Sequence, residues 1–284
     1  MAILSPLKAD CIIFDVDGVL MDTAKSFPEV IRESIPRVWE HILGRNNDSS
    51  PFTVRHFEVS KRFSFLNDDY DICWGILSLA AAKGKNGLDE SFPTPWEWEE
   101  KLKEAEDSGQ TFTAWVKESI GDILPYEQTR KICEELYFGE EKTLEILRRK
   151  PVFEGDPGLW RNERPLLNRN WRKIPLPVGI YTGRSRKELS LALLALGWED
   201  LPGDRAVCSD DGIKKPSPEG LETVCHRLGK SWPLFFGDTA SDRAALKAFG
   251  RGDFIAIGNI LKDSEFRFSK VEDAIRALGL SLSA

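Results

Sequence analysis

Five short stretches of the chain are apolar at nearly every position, without alternation between apolar and polar residues. Such continuous hydrophobicity is typical of strands that are covered on both faces, as the strands of a parallel sheet are. The pattern therefore predicts five buried strands, at residues 11–16, 178–182, 205–208, 234–236 and 254–257.

Helical periodicity fills the intervals between the later strands. Ser185 and Glu188 have the spacing of a capping box, in which each side chain satisfies a backbone amide at the helix start, and Gly197 stands where this helix should end. The segments 218–229 and 241–250 have the same character, and each also ends in glycine. Strands that alternate with helices predict an α/β fold with a Rossmann-like parallel sheet.

The stretch 22–150 has a different pattern. Apolar residues recur with helical spacing in SFPEVIRESIPRVWEHIL, DICWGILSLAAAK and QTRKICEELYF, and no clear strand interrupts them. We therefore predict an inserted, mainly α-helical domain at 22–150 and a core domain formed by 1–21 and 151–284. The segment 151–158, which contains proline and glycine, marks the predicted return to the core.

Composition and charge narrow the possible partners. The chain has 284 residues and a formal net charge of -7, so no large positive field favours nucleic acid or an anionic membrane. Its five cysteines are far apart and lack CxxC spacing, which favours reduced thiols over disulfides or zinc. The start of the chain does not have the pattern of a signal peptide, and the longest apolar run, 191–196, is too short to span a bilayer. These features predict a cytoplasmic protein.

Polar residues follow four of the predicted strands. Asp15 and Asp17 follow the first strand, Thr182 ends the second, Lys215 comes after the third, and Asp238 follows the fourth. Because the carboxyl ends of parallel strands meet at one edge of a sheet, we expect these side chains to converge on one crevice. Carboxylates suit Mg²⁺, which typically binds one or two of them together with a substrate phosphate, and a lysine balances the phosphate charge.

Four sequence motifs, taken in order, resemble those of the haloacid-dehalogenase-like superfamily of aspartate-nucleophile phosphatases. They are FDVDGVL, the hydroxyl residue in YTG, the lysine before proline in KPSP, and GDTASD. The resemblance covers about 11–22 and 151–260, and it implies that the helical insertion is a cap. It places the chain in the helical-cap group that includes phosphoglycolate phosphatase and β-phosphoglucomutase.

The resemblance implies a role for each motif residue. Asp15 would be the nucleophile that forms an aspartyl-phosphate, and Asp17 would protonate the leaving group and then activate water. Thr182 and the amide of Gly183 would hold the phosphoryl oxygens, while Lys215, rather than its neighbour Lys214, would stabilise phosphate and nucleophile.

The same resemblance implies a Mg²⁺ site. Its ligands would be Asp15, the backbone carbonyl of Asp17, and Asp238. Asp242 would orient the site by a direct or an indirect contact.

The leading interpretation is a Mg²⁺-dependent phosphatase of a small phosphorylated metabolite, since a capped site favours such substrates over proteins or nucleic acids. Two alternatives are a phosphomutase of the same fold acting on a sugar phosphate and a non-catalytic phosphometabolite-binding protein. Carbon–halogen cleavage is disfavoured, because dehalogenases of the superfamily typically lack the second aspartate, which is Asp17 here. The motifs specify neither the substrate nor the oligomeric state.

Two further features have competing interpretations. We expect Arg184 to be a solvated residue in the first turn of a helix, with a contact to substrate phosphate as the alternative. We expect Asn67, Asp68, Asp69 and Asp71 to form a capped helix start on a solvated surface, with a substrate-facing loop as the alternative.

Overall fold

The computed structural model describes residues 8–45, 49–84 and 87–280. The chain divides into two compact units. The sheet unit consists of Met1–Thr23 and Glu163–Ala284, and the helical unit consists of Ala24–Asn162. A helical segment is thus inserted into an α/β unit just after the first strand.

The sheet unit contains a six-stranded sheet in which every neighbouring pair of strands is parallel. Its strands are β1 (Cys11–Phe14), β4 (Val178–Tyr181), β5 (Ala206–Val207), β6 (Pro233–Gly237), β7 (Asp253–Ile257) and β8 (Arg267–Phe268). Their order in the sheet is β5-β4-β1-β6-β7-β8, so β1 lies inside the sheet between β4 and β6. A separate antiparallel pair joins β2 (Met21–Asp22) to β3 (Arg164–Pro165). The five predicted strands and the α/β class are confirmed.

Apolar residues on the two faces of the sheet belong to two different hydrophobic clusters. Ile12 and Phe14 of β1 pack in one cluster, whereas Cys11 and Ile13 pack in the other. Burial on both faces explains why the strand sequence does not alternate between apolar and polar residues.

Four helices in the sheet unit are α8 (Arg186–Leu196), α9 (Glu219–Leu228), α10 (Ala240–Phe249) and α11 (Val271–Ala277). Residues of α8 and α11 pack on one face of the sheet, and residues of α9 and α10 pack on the other. The predicted capping box opens α8: Ser185 Oγ accepts a hydrogen bond from Glu188 N, and the Glu188 carboxylate accepts one from Ser185 N. The five cysteines are free and buried.

The described part of the helical unit consists of helices and connecting turns, without a strand. Its helices are α1 (Phe27–Leu43), α2 (Val54–Ser60), α3 (Asp69–Ala82), α4 (Leu88–Ser91), α5 (Pro95–Ser108), α6 (Phe112–Ser119) and α7 (Tyr126–Lys142). The backbone of α7 leaves helical geometry at Gly139, where φ is 72° and ψ is 174°.

The helical unit ends at Asn162, whereas the sequence places the return to the core at residue 151. The segment 151–162 packs against α7: Glu135 accepts a hydrogen bond from Val152 N at 2.7 Å, and Glu140 N donates to Asp156 O at 2.9 Å. Gly139 and Gly158 approach so closely that a Cβ on Gly139 would lie 2.4 Å from Gly158 N. These contacts attach the segment to the helical unit.

Helices in the described ranges are all too short or too polar to cross a lipid bilayer.

Candidate active site

Asp15 and Asp17 lie in the turn that follows β1. The backbone of this turn is tight, because the amides of Leu20 and Met21 both donate to Val16 O at 2.8 Å. Asp15 N donates to Phe236 O of β6 at 2.8 Å, which fixes the start of the turn to the neighbouring strand. The buried strand therefore positions two carboxylates at the carboxyl edge of the sheet.

Lys215 is buried between two of the predicted site carboxylates. Its Nζ lies 2.7 Å from Asp15 Oδ1 and 2.6 Å from Asp242 Oδ1. The neighbouring Lys214 is exposed and takes no part in these ion pairs. The structure thus brings the third motif to the first and the fourth.

Burial and the neighbouring charges shift the pKa values of Asp15 and Lys215. Burial raises the pKa of Asp15 well above its ordinary value; Lys215 opposes the rise, and the nearby charges of Asp242 and Asp17 add to it. Burial also lowers the pKa of Lys215, but the charges of Asp15 and Asp242 outweigh burial and raise it overall. Lys215 is therefore a cation in a place where negative charge is in excess.

The Asp242 carboxylate holds the backbone of the fourth motif, GDTASD, by hydrogen bonds and pairs with Lys215. Its Oδ2 accepts hydrogen bonds from Asp238 N at 3.2 Å, Thr239 N at 3.0 Å and Thr239 Oγ1 at 2.7 Å, while its Oδ1 pairs with Lys215. Both oxygens thus have donors within the protein. This arrangement suits a residue that orients Lys215 and the Asp238 loop.

Asp15, Asp238 and Asp242 form a group that could hold a metal ion, since one carboxylate oxygen of each lies within 4.8 Å of the others. An all-oxygen donor set suits a hard divalent cation such as Mg²⁺. Gly18 supports this fit: its φ is +69°, and a Cβ there would lie 2.2 Å from Asp238 Oδ2. The turn after β1 therefore leaves room for the Asp238 carboxylate only because residue 18 is glycine.

Thr182 and Gly183 follow β4, the strand that pairs with β1 in parallel. Thr182 is buried, and its backbone amide donates to Val207 O at 3.0 Å. Its Oγ1 accepts a hydrogen bond from Arg184 N at 3.2 Å. The second motif thus lies at the same sheet edge as Asp15.

Arg184 is not the solvated residue that the sequence suggests; the expectation is wrong because a buried ion pair holds the side chain. The guanidinium is fully buried and donates to Asp17 Oδ1 from Nε at 2.8 Å and from Nη2 at 2.6 Å. Nη2 also donates to Glu163 Oε2 at 2.9 Å. Sequence reasoning missed Glu163, although it is the single acidic residue within the otherwise basic run RNERPLLNRNWRK.

The acidic stretch at the start of α3 lies within the helical unit. Asp68 caps α3 by accepting a hydrogen bond from Tyr70 N at 3.0 Å, so the predicted capped helix start is confirmed. The expectation of a solvated surface is wrong, because ion pairs draw these side chains inward. Asp68 pairs with Arg130 at 2.7 Å, Asp71 accepts from Tyr126 Oη at 2.6 Å, and Asp69 pairs with Lys61 at 2.5 Å.

Comparisons with known proteins show the family and the fold of the chain. The family model of haloacid dehalogenase-like hydrolases matches residues 9–250. Phosphatase Tt82 from Thermococcus thioreducens is 26% identical, with a TM-score of 0.60 over 93% of this chain and 98% of that chain. A candidate phosphoglycolate phosphatase from Lactobacillus plantarum has the same fold, with 16% identity and a TM-score of 0.52 over 95% of this chain and 99% of that chain. No curated protein matches the chain by sequence.

Proposed function

The chain belongs to the haloacid dehalogenase-like hydrolase family and hydrolyses phosphoric monoesters, and we propose that it is a Mg²⁺-dependent phosphatase of small phosphorylated metabolites. The observation that carries this proposal is the position of Lys215, which is buried between Asp15 and Asp242. A carboxylate oxygen of Asp238 lies within 4.8 Å of those two acids. A lysine at that place can stabilise both a nucleophilic carboxylate and an incoming phosphoryl group.

In the proposed reaction Asp15 acts as the nucleophile. One of its carboxylate oxygens attacks phosphorus, the bond from phosphorus to the ester oxygen breaks, and Asp17 gives its proton to the departing alkoxide. Asp17 then takes a proton from water, whose oxygen attacks the aspartyl-phosphate. This second step releases inorganic phosphate and restores Asp15.

The remaining site residues bind and orient the phosphoryl group. The Thr182 hydroxyl and the Gly183 amide would hold its oxygens, and Lys215 would balance their charge. Asp15, Asp238 and the backbone carbonyl of Asp17 would hold Mg²⁺, which supplies charge neutralisation at the phosphate when bound. Asp242, whose oxygens both have protein donors, would keep Lys215 and the Asp238 loop in place.

A screen of phosphorylated metabolites for Mg²⁺-dependent release of inorganic phosphate tests this proposal. We expect release that chelation of Mg²⁺ abolishes and that Asp15→Asn lowers by a factor of about 10³ or more, as loss of a nucleophile does. Asp204→Asn is the matched control, because Asp204 is exposed in the 3₁₀ turn before β5. The control should retain wild-type activity.

Two outcomes of the screen would contradict the proposal. If no compound yields phosphate above the Asp15→Asn blank, the phosphatase activity is refuted. If a sugar phosphate is isomerised without net release of phosphate, the protein is a phosphomutase instead.

A further inference from the structure

The four motifs assign no role to Arg184, although its side chain contacts one of the motif residues. It is 0% exposed, and two of its nitrogens contact one oxygen of Asp17, the proposed proton donor. Its third nitrogen, Nη1, donates to Glu188 O at 3.3 Å. A planar guanidinium fixed at several points restricts the orientation of the carboxylate that it contacts.

Glu163 restrains the same guanidinium from another direction. Its side chain is 3% exposed, and Oε2 accepts from Arg184 Nη2 at 2.9 Å. Glu163 directly precedes β3, which pairs with β2 in the register Asp22↔Arg164. The short β2–β3 pair therefore holds the backbone of Glu163 beside the segment that continues from the Asp17 turn.

From these contacts we propose that Arg184 and Glu163 form a buried clamp that holds Asp17 in position for proton transfer to the leaving group and from water. The clamp consists of these two side chains, and its role rests on the proposed phosphatase function. Both are positioning residues, because Arg184 is too deeply buried to contact solvent and acts through Asp17.

The geometry explains why both clamp residues are needed. Both contacts of Arg184 with Asp17 end on Oδ1, so Oδ2 lies outside the fork and is the oxygen available for proton transfer. Asp17 is 28% exposed and could turn toward solvent if it were not held. Glu163 keeps the guanidinium plane in place. Its negative charge also offsets the free-energy cost of burying the positive charge of Arg184.

Two aryl phosphates of nearly the same shape separate positioning of Asp17 from general damage to the site. Phenyl phosphate needs its leaving group protonated, since phenol has a pKa of about 10. Nitrophenol is a much stronger acid, so p-nitrophenyl phosphate can transfer its phosphoryl group without that proton. Water must still be activated by Asp17 before the enzyme turns over again.

For Arg184→Lys we expect kcat on phenyl phosphate to fall by about tenfold or more, with KM within about twofold of wild type. On p-nitrophenyl phosphate we expect a burst of about one equivalent of nitrophenolate, followed by slow turnover, because hydrolysis of the aspartyl-phosphate becomes rate-limiting. Arg186→Lys is the matched control, since Arg186 lies two residues on and pairs with Asp211 at the surface. It should behave as wild type.

Glu163 offers a second pair of variants in case Arg184→Lys does not fold. Glu163→Gln retains an oxygen that can accept from Arg184, whereas Glu163→Ala removes it. We expect Glu163→Ala to show the phenyl phosphate loss and the nitrophenolate burst, and we expect Glu163→Gln to restore most of the activity. In the Asp17→Asn background neither Glu163 variant should lower kcat further, because residues that act through one group are not additive.

The possible failures are distinguishable. If phosphate release depends on Asp15 but the clamp variants show no nitrophenolate burst, or change KM instead of kcat, the clamp is refuted and the phosphatase stands. If Arg186→Lys gives the same pattern as Arg184→Lys, the clamp is also refuted. If no compound gives Asp15-dependent release, the proposed function fails, and the catalytic role of the clamp fails with it.

Discussion

Gly18 lies directly against the Asp238 side chain of the candidate metal site, where there is no space for a Cβ. Its φ of +69° is in the left-handed region, which costs an L-residue about 1 kcal/mol or more. In addition, a Cβ at this position would lie 2.2 Å from Asp238 Oδ2 and 2.7 Å from Asp238 Cγ. The Asp238 carboxylate would therefore have to move.

We therefore predict that Gly18→Ala weakens Mg²⁺ binding more than it weakens the fold. The apparent Mg²⁺ dissociation constant should rise by about tenfold or more, as for loss of a well-placed ligand or its support. Isothermal titration with Mg²⁺ and the Mg²⁺-induced rise in Tm measure the change.

Gly203→Ala provides the matched control in the sheet unit. A Cβ on Gly203 would meet no atom within 4 Å, and its φ is not positive, so Mg²⁺ binding should be unchanged there. Wild-type Mg²⁺ affinity in Gly18→Ala would show that Asp238 is not a ligand or that its position is not critical.

The position of six motif residues at one edge of the sheet could be predicted from sequence, because each follows a buried strand or its connecting loop and parallel strands bring such positions together. These residues are Asp15, Asp17, Thr182, Lys215, Asp238 and Asp242, and their chemical roles stay predictions. The burial of Arg184 and its two ion-pair partners could not be predicted from the sequence. The partners, Glu163 and Asp17, are 21 and 167 positions away from Arg184 and contact it only in the folded sheet unit. Local sequence around Arg184 shows a helix start and gives no sign of burial.

At the scale of single elements, helix α2 is attached to its surroundings through a buried histidine. Nδ1 of His56 accepts a hydrogen bond from Thr53 N at 3.0 Å, so Nε2 carries the proton and faces Pro93 O at 2.9 Å. Burial lowers the pKa of His56, while its two backbone contacts oppose that effect. The neutral form is therefore the one that the helical unit requires.

This histidine predicts a loss of stability in mild acid. Because the folded pKa is below the unfolded value of 6.5, the contribution of His56 is present above pH 6.5 and is lost as pH falls through the folded pKa. We expect the Tm of the wild type to drop between about pH 7.5 and about pH 5.5, and we expect His56→Gln to show a smaller drop. Thermal unfolding at the two pH values gives the comparison.

His226→Gln is the control for this pH effect, since His226 is exposed on α9. It should keep the pH response of the wild type. An unchanged drop in His56→Gln would mean that another group causes the acid sensitivity.

Elements with strong local signals were predictable, and elements without them were not. The capping box of α8 involves Ser185 and Glu188, which are three residues apart, so the local sequence is enough to define the helix start. The strands β2 and β3 have only two residues each, which is too short for any periodicity. They pair Met21 with Pro165 and Asp22 with Arg164, positions that are far apart in the sequence, so no local pattern predicts them.

For the whole molecule, composition and contacts place the end of the inserted domain at different residues: composition at 151 and contacts at 162. The segment 151–162 contains the turn-forming residues that usually separate domains, yet Glu135, Glu140 and Gly139 of α7 hold it. Contacts formed after folding, rather than composition, therefore place the segment with the helical unit. We propose 24–162 as the cap and the remainder as the catalytic core.

Two glycine substitutions in the full chain, each expected to destabilise one unit, test this boundary by hydrogen exchange. Gly139→Ala would place a Cβ 2.4 Å from Gly158 N at a positive φ, and Gly179→Ala would place one 2.3 Å from Val224 Cγ1 beneath the sheet. Each should cost about 2 kcal/mol or more, since neither site can accept a methyl group without backbone or core movement. Segment 151–162 should exchange faster in Gly139→Ala and as in wild type in Gly179→Ala. Strands β1 and β4 should exchange as in wild type in Gly139→Ala and faster in Gly179→Ala. Faster exchange of 151–162 in Gly179→Ala alone would return the boundary to residue 151, because a segment exchanges with the unit whose unfolding exposes it.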